Sequence, residues 1–253
     1  MSVIFYISPS VIPSRSANSI HVVNMCEGMV QLNHHVVLFS SINRKGLLNY
    51  QNALVNFYGV CDKNIQVISY QGLLDRGIEF GIALKSLSTF LTSCIKYDMP
   101  TVIISRNLYA AVIFGLLFRR TIVYETHSPE YGYRKILQKW VINSSRIRTV
   151  VISKALKDII CKFHAVSDKN IHIFHDAARS GGLQLNSKQC EETRRSLLGD
   201  AIDLRQYKKF VGYFGHLYAG RGVEIIQGIA MKNPDYAFVV YGGNENDINK
   251  YIK

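Results

Sequence analysis

The chain has 253 residues, of which 48% are hydrophobic, so it can bury at least one large core and has room for two domains. Its formal net charge of +12 predicts anionic partners such as phosphorylated ligands or acidic lipid. Nucleic acid is not an expected partner, because the sequence contains no recognisable nucleic-acid-binding module. The five cysteines are scattered, with no Cys-x-x-Cys pair, which argues against a disulfide framework and indicates reduced thiols in a cytosolic compartment.

The sequence carries no signal for export or for membrane insertion. A strand-like run begins at residue 3 without a basic leader, so no signal peptide is expected. The longest apolar run, residues 108–118, is too short to span a bilayer. These features predict a cytoplasmic protein.

From the N-terminus onward, short β-branched runs alternate with longer helical patterns. Strands are predicted at residues 3–8, 35–40, 65–69, 101–105, 121–125, 149–152 and 171–174. Helices are predicted at residues 19–32, 79–97, 108–118, 131–142 and 154–164, and a loop at 9–18. Near-continuously apolar strands that alternate with helices are typical of a parallel sheet covered on both faces. The fold class predicted for residues 1–178 is therefore α/β, a doubly wound Rossmann-like domain of about seven strands.

This rhythm breaks in residues 179–207, which are polar, contain Gly181 and Gly182, and predict a linker with one short helical pattern. The alternation then restarts with a strand at 209–214, a helix at 222–232 and a strand at 236–241. Residues 208–253 thus predict the start of a second Rossmann-like domain. Two strands are too few to cover both faces of a parallel sheet, so this domain is expected to be incomplete.

A glycine-rich turn, residues 215–222, joins the first strand of this second unit to its helix. The unpaired N–H groups at the helix start and the helix dipole favour an anion, and phosphate is the usual one. Within the turn, Arg221 adds a planar fork that suits phosphate oxygens, and His216 stands beside it. Alternatively, the glycines only form the turn and Arg221 is a solvated charge.

The loops after the strands of the first domain are the other candidate sites, because open α/β sheets bind ligands at the carboxyl ends of their strands. Arg106 follows one strand and could meet an anion or pair with a carboxylate. His127 follows another, between Glu125 and Glu130, and could bind a sugar hydroxyl, act as acid or base, or be an ordinary polar residue. The first loop lacks Gly-x-Gly-x-x-Gly, so no nicotinamide or flavin cofactor is expected, and no motif predicts a metal site.

The predicted helix at residues 131–142 is amphipathic. Its apolar positions are assigned to one side: Tyr133, Ile136, Leu137, Trp140 and Val141. Its polar positions are assigned to the other: Arg134, Lys135, Gln138 and Lys139. Such a face could lie on an anionic membrane, or it could simply cover the sheet. Residues 131–169 contain nine Lys or Arg against two Asp, so the excess charge is concentrated here.

Taken in order, several short motifs resemble the family-four glycosyltransferases, which are retaining enzymes of the GT-B architecture with two Rossmann-like domains across a cleft. The resemblance is carried by residues 4–10, the HHVVL run at 34–38, Glu125–Thr126–His127, VVISKALK at 150–157, IHIFHD at 171–176, GYFG at 212–215, Arg221–Gly222 and FVVYGG at 238–243. No one of these motifs is specific, but their order and spacing together are.

The resemblance implies a role for several residues. Arg221 and the turn from Gly215 to Gly222 would bind the donor diphosphate, with His216 where many members have arginine. His127 matches a histidine near the transferred sugar. Ala17, after Ser16, stands where the family commonly has a Gly-Gly pair in a ligand-binding loop. The family's Glu-x7-Glu segment, which holds the donor's ribose and sugar, is expected beyond residue 253, so the chain resembles a truncated member with little or no turnover.

The implied reaction transfers a sugar from a nucleotide-diphosphate donor to an acceptor hydroxyl with retention, without a metal or cofactor. The acceptor would be a saccharide or a lipid-linked group in cell-surface polysaccharide or glycolipid assembly, at the inner face of a membrane. One alternative is a non-catalytic remnant that only binds. Another is a sugar-nucleotide epimerase of the same architecture, which the membrane-like helix disfavours.

Overall fold

The computed structural model describes residues 1–14, 16–42, 50–60, 64–72, 77–93, 100–176, 186–198 and 206–251, without the side chains of 50–53, 93, 197 and 198. Parts of the predicted helix at 79–97 and of the predicted linker lie outside these residues. The chain divides into two compact units, Met1–Ser180 and Gly181–Lys253. The predicted boundaries at 178 and 208 stay predictions.

The elements follow the predicted alternation closely. The strands are β1 Val3–Val11, β2 His35–Ser41, β3 Ile65–Tyr70, β4 Thr101–Ser105, β5 Ile122–Glu125, β6 Ile147–Val151, β7 Ile171–Ile173, β8 Lys209–Phe214 and β9 Tyr236–Tyr241. The helices are α1 Ala17–Gln31, α2 Tyr50–Tyr58, α3 Ile78–Ser93, α4 Leu108–Ala111, α5 Tyr133–Asn143, α6 Lys154–His164, α7 Ser187–Leu198, α8 Val223–Lys232 and α9 Glu245–Ile248. A π-helical segment, Val112–Leu117, continues α4. None of the described helices is long and apolar enough to cross a membrane.

The first unit contains a seven-stranded parallel sheet in the order β3-β2-β1-β4-β5-β6-β7. This confirms the predicted fold class. The order reverses between β1 and β4, and the carboxyl ends of these strands form the crevice where such sheets bind ligands. The loop expected from residue 9 begins later, because β1 continues past a shift in its register and pairs Val11 with Ser41 of β2.

The two faces of this sheet are covered unequally. On one face, α3, α4, the π-helical segment and α5 enclose an aromatic core in which the Phe90 ring packs edge-on against Phe5 and Phe114. On the other face, α1 and α2 cover β1 to β3. Beyond α1, residues of β4 to β6 stay partly open around a groove of about 450 Å³, which includes Ile104, Val123 and Val150. Among the described residues, this face of β4 to β6 is therefore covered less fully than that of β1 to β3.

The second unit is a separate parallel pair, β8 and β9, with α8 between them in sequence. Large apolar side chains of the pair remain exposed, among them Val211, Phe214 and Tyr241. A two-stranded sheet has too little area to bury them. The predicted start of a second α/β unit is thus confirmed. The region predicted as linker contributes α7.

Candidate active site at the strand ends

Glu125 is the centre of a polar cluster at the carboxyl ends of the first sheet. It ends β5, and its carboxylate is buried. Its Oε2 accepts a hydrogen bond from the Tyr6 hydroxyl at 2.8 Å. Its Oε1 lies 2.7 Å from His127 Nε2, 3.2 Å from His21 Nε2 and 3.5 Å from Arg106 Nε. Elements from four different parts of the chain therefore converge on one carboxylate.

The surroundings of Glu125 keep it ionised. Burial alone would raise its pKa, but hydrogen bonds from His127 and His21 and the charge of Arg106 hold the pKa well below its usual range. Burial, followed by the nearby Glu125 charge, raises the pKa of Tyr6 well above its ordinary value, so its hydroxyl remains a donor. The cluster thus contains a permanent negative charge that orients the groups around it.

His127 is the member of the cluster best suited to meet a ligand. Its side chain is 28% exposed, and Glu125 engages Nε2. Nδ1 is the ring nitrogen left over, since no described residue bonds to it. A carboxylate that engages one ring nitrogen sets the tautomer and the orientation of the imidazole, and the other nitrogen can then face a ligand. His127 can therefore bind a sugar hydroxyl or accept a proton through Nδ1.

The loop that carries His127 is anchored by the buried side chain of Gln138 from α5. Gln138 Nε2 donates to Thr126 Oγ1 at 3.0 Å and to the Ser128 carbonyl at 3.2 Å. Its Oε1 accepts from the Glu130 backbone N–H at 2.8 Å and lies 2.7 Å from His164 Nε2. The assignment of Gln138 to the solvent side of this helix is therefore wrong.

The other assignments on α5 need correction as well. Leu137 and Val141 pack on the sheet as expected, but Tyr133, Ile136 and Trp140 are exposed. The charged side is also mixed. Lys135 and Lys139 are exposed, whereas Arg134 donates to Glu130 and to Glu79, which fastens α5 to α3. The helix thus presents its apolar residues on two sides, one toward the core and one toward solvent.

Arg106 lies beside Glu125. Of the two roles considered for it, pairing with a carboxylate or meeting an anion, this position favours pairing with a carboxylate. Its side chain is only 9% exposed, and its Nη1 has no hydrogen-bond partner among the described residues. A buried guanidinium N–H without a partner is costly, so a ligand oxygen or a water would be stabilised there. Arg106 can therefore contribute both to holding Glu125 and to binding an anionic or hydroxyl group.

His21 and Asp176 extend the cluster beyond the residues that the sequence singled out. His21, on α1, lies with Nδ1 3.3 Å from Asp176 Oδ1, just after β7. Its ring meets that of His127 edge-on, with 5.8 Å between the centroids. The sequence feature that could have indicated His21 is its spacing from Ala17. His21 follows Ala17, the exposed first residue of α1, by one helical turn. Ser16 caps this helix, since its side chain accepts a hydrogen bond from the Ser19 backbone N–H.

Three members of the cluster could in principle hold a metal ion. Donor atoms of His21, Glu125 and His127 all lie within 4.8 Å of one another. In both histidines, however, Nε2 already contacts the same oxygen, Glu125 Oε1. The Arg106 guanidinium lies close to that oxygen too. A cation here would be repelled by Arg106 and would displace these hydrogen bonds. The donor set fits a hydrogen-bonded network rather than a metal site, and metal-free chemistry stays a prediction.

The second unit brings the glycine-rich turn together with the end of β9. The Gly215 N–H donates to the Tyr241 carbonyl at 3.0 Å. Gly242 has φ of 130°, and a Cβ there would lie 2.1 Å from the Gly215 oxygen, so only glycine fits. Gly222, with φ of 80°, begins α8 as its N-cap. This arrangement leaves a helix N-terminus open next to two strand ends.

Arg221 and His216 are both exposed on this turn. The Arg221 guanidinium lies over the Tyr218 ring, 4.6 Å from its centroid, and donates to the Tyr218 hydroxyl. The His216 ring stacks on the same tyrosine, with 5.7 Å between the centroids. No described carboxylate pairs with Arg221. The turn thus offers a cation, an imidazole and a helix N-terminus to an anion.

Comparison with known proteins identifies the family to which this chain belongs. The sequence profile described as Glycosyltransferase Family 4 matches residues 19–177, which is more than half of the chain. The chain therefore belongs to glycosyltransferase family 4. No curated protein sequence matches it.

Two of the solved structures that match this chain show its fold. One is WaaG, a glycosyltransferase involved in lipopolysaccharide biosynthesis, with a TM-score of 0.56 and 11% identity over 98% of this chain. The other is UGT2 of Phytolacca americana, complexed with UDP-2fluoro-glucose and pterostilbene, with a TM-score of 0.50 and 11% identity over 96% of this chain. The chain covers 65% of the WaaG chain and 72% of the UGT2 chain. At this identity the likeness shows the fold alone.

Proposed function

We propose that this chain carries the acceptor side and the first part of the donor side of a retaining glycosyltransferase. The reaction transfers a sugar from a nucleotide-diphosphate donor to an acceptor hydroxyl. The observation that carries the proposal is the pairing of His127 with the buried, ionised Glu125 at the ligand-binding edge of a family-four sheet. The UDP-2fluoro-glucose in the structure of UGT2 supports a nucleotide-sugar donor.

Residues of each unit have a role in this reaction. His127 Nδ1 binds a hydroxyl of the transferred sugar, and Glu125 fixes the orientation of its ring. Arg221, with the N–H groups of the 215–222 turn and His216, holds the diphosphate and stabilises the negative charge that develops as it leaves. Fixed cations and helix N-termini can perform this task without a metal ion.

We further propose that the acceptor is a saccharide or a lipid-linked group used in cell-surface polysaccharide or glycolipid assembly. The role of WaaG in lipopolysaccharide biosynthesis supports this class of acceptor. The net charge of +12 supports binding to an anionic acceptor or an anionic membrane surface. The protein would act in the cytoplasm, attached peripherally to the inner face of a membrane.

Donor binding is tested by calorimetric titration with UDP and with GDP. We expect weak binding that Arg221→Ala reduces about tenfold or more, because a charge-assisted hydrogen bond to phosphate is lost. Arg195→Ala is the matched control, since Arg195 is also exposed in the second unit but pairs with Glu191. Equal affinities of wild type and Arg221→Ala would contradict the proposed diphosphate site.

A second candidate function is donor binding without turnover by these 253 residues. The exposed apolar faces of the two-stranded sheet favour it, because such a sheet is a poor support for a closed active site. A single-turnover assay with labelled donor separates the two functions. Sugar transfer supports the enzyme, with His127→Ala about a hundredfold slower and the exposed His172→Ala unchanged. UDP binding with no product above background supports the second candidate.

A further inference from the structure

A second pocket of about 450 Å³ lies in the first unit, away from the Glu125 cluster. Its walls include Arg119, which shortly precedes β5, and Arg146, which immediately precedes β6. Parallel strands all start at one edge of their sheet and end at the other. The pocket therefore lies at the amino-terminal edge, opposite the edge that carries Glu125, and it is separate from the proposed transfer site.

The lining of this pocket suits an anion. Besides the two arginines, it contains polar groups of Asn143, Ser144 and Ser145. Neither Arg119 nor Arg146 has a carboxylate partner among the residues that the structure describes. Guanidinium groups bind phosphate through two parallel hydrogen bonds, and hydroxyl and amide groups complete such sites.

Two helix C-termini also point to this region, and they oppose an anion. The π-helical segment ends at Leu117 and α5 ends at Asn143. Each terminus contributes about half a negative charge, whereas each arginine contributes a full positive charge. Arg120 and Lys139 are exposed nearby and add to the positive side. The balance at the pocket is therefore positive.

The two segments that line this cationic pocket also carry exposed apolar side chains. Trp140 forms part of its wall and is 57% exposed. Leu117 and Phe118, which come between the lining residues Leu116 and Arg119 in sequence, are 69% and 46% exposed. Ile136 and Tyr133 continue the exposed stripe along α5. A tryptophan and aliphatic groups around a basic centre are typical of surfaces that rest at the boundary between lipid headgroups and acyl chains.

We propose that Arg119 and Arg146 bind the phosphate of an anionic phospholipid headgroup while Trp140, Leu117 and Phe118 enter the bilayer interface. This assigns the proposed membrane attachment to the amino-terminal edge of the first sheet. The inference rests on that part of the proposed function. Vesicle binding requires neither donor nor sugar transfer, so the two proposals can fail independently.

The chain carries its own probe for this test. Trp140 is the one tryptophan in the sequence, so its fluorescence reports on the pocket alone. We expect phosphatidylcholine vesicles that contain phosphatidylglycerol to shift its emission to the blue and brominated lipids to quench it. Pure phosphatidylcholine vesicles should bind far more weakly, and salt should weaken the anionic binding. Vesicle binding without a change in Trp140 emission would overturn the proposal.

The double variant Arg119→Gln/Arg146→Gln tests the phosphate contacts. Its affinity for the anionic vesicles should fall about 30-fold, since each basic residue near such a surface contributes roughly fivefold. Lys154→Gln/Lys162→Gln is the matched control, because it removes the same charge from exposed positions on α6 and should lose much less. An equal loss in both variants would show general attraction without a headgroup site. If the double variant unfolds, Arg119→Gln alone should reduce vesicle affinity about fivefold. The quenching of wild-type Trp140 by brominated lipids does not depend on either variant.

Discussion

The two units of this chain hold their functional residues by different means. In the first, Glu125 is buried at the end of a central strand and contacts four side chains: His127 two positions away, and Tyr6, His21 and Arg106 from elsewhere in the sequence. In the second, Arg221 is exposed on a turn, and the groups described around it are ring faces from the same turn. Side-chain contacts position the first site, whereas backbone geometry at glycines positions the second.

This difference predicts where substitutions will be costly. A buried charge that loses its partners keeps its desolvation cost, so the surrounding fold is destabilised. An exposed charge exchanges its partner for water, and stability hardly changes. In the first unit, a substitution in the site should therefore reduce both stability and function. In the second unit, it should reduce function with little change in stability, except at glycines whose backbone conformation no other residue can adopt.

The largest effect should come from Glu125→Ala. The variant leaves Arg106, His21 and the Tyr6 hydroxyl without their shared acceptor, and we expect a loss of about 3–5 kcal/mol in the free energy of unfolding. Urea denaturation followed by Trp140 fluorescence measures the first unit. Asp158→Ala is the control, since Asp158 is exposed on α6 and should leave the transition unchanged. A loss below about 1 kcal/mol would contradict a cluster held together by Glu125.

Gln138→Leu should have the next largest effect. The leucine fills a similar volume but leaves the Glu130 N–H and the His164 ring without an acceptor, at a cost of about 2–4 kcal/mol. The same loss should loosen the loop that carries His127, so the amides of residues 128–130 should exchange hydrogen faster in the folded state. Lys139→Gln, one residue further along α5 but exposed, is the control. Unchanged exchange in Gln138→Leu would mean that other contacts hold the loop.

The strands and helices of the fold could be predicted from local sequence far better than the site could. Each predicted strand of the first sheet is present, because buried parallel strands are short, apolar and β-branched, and this pattern is local. Helix faces are less certain. Gln138 was expected in solvent but is buried, and Trp140 was expected in the core but is exposed. The reason is that a buried polar network makes the core side of α5 partly polar. The open face of β4 to β6 was not predicted, because a sequence pattern does not show which strands a helix covers.

The site was predicted in parts and not as a whole. Arg106 and His127 stood out because each follows a strand, and the carboxyl ends of parallel strands meet at one edge. Glu125 was noted only as a neighbour of His127, and its contacts with Tyr6, His21 and Arg106 were not predicted, because this network joins residues far apart in sequence. The Tyr6 hydrogen bond spans 119 positions, and that of His21 spans 104. Such contacts depend on strand order, which one sequence does not reveal.

In the second unit, Gly242→Ala tests whether backbone geometry positions the diphosphate turn. The new Cβ would meet the Gly215 oxygen at a φ that other residues avoid, so we expect about 1–3 kcal/mol of strain. Faster hydrogen exchange in β8 and weaker UDP binding should accompany it. Gly228→Ala is the control: its Cβ meets nothing within 4 Å in α8, and it should stabilise the helix by roughly 0.5–1 kcal/mol. UDP affinity unchanged by Gly242→Ala would show that the turn tolerates displacement.

The smallest effect expected concerns pH and returns to the first unit. Burial, and then the charges of Lys135 and Lys139, lower the pKa of His164, whose Nε2 donates to Gln138. The unfolded chain binds a proton near the ordinary value of 6.5, whereas the folded chain resists it until lower pH. The contribution of His164 is therefore present above about pH 6.5 and is lost as pH falls toward its folded pKa. His164→Gln keeps a donor that does not titrate, so its stability should fall less than that of wild type between pH 7 and 5. His172→Gln, which removes an exposed imidazole, should keep the wild-type decline, and an identical decline in all three proteins would mean that His164 is not held neutral by the fold.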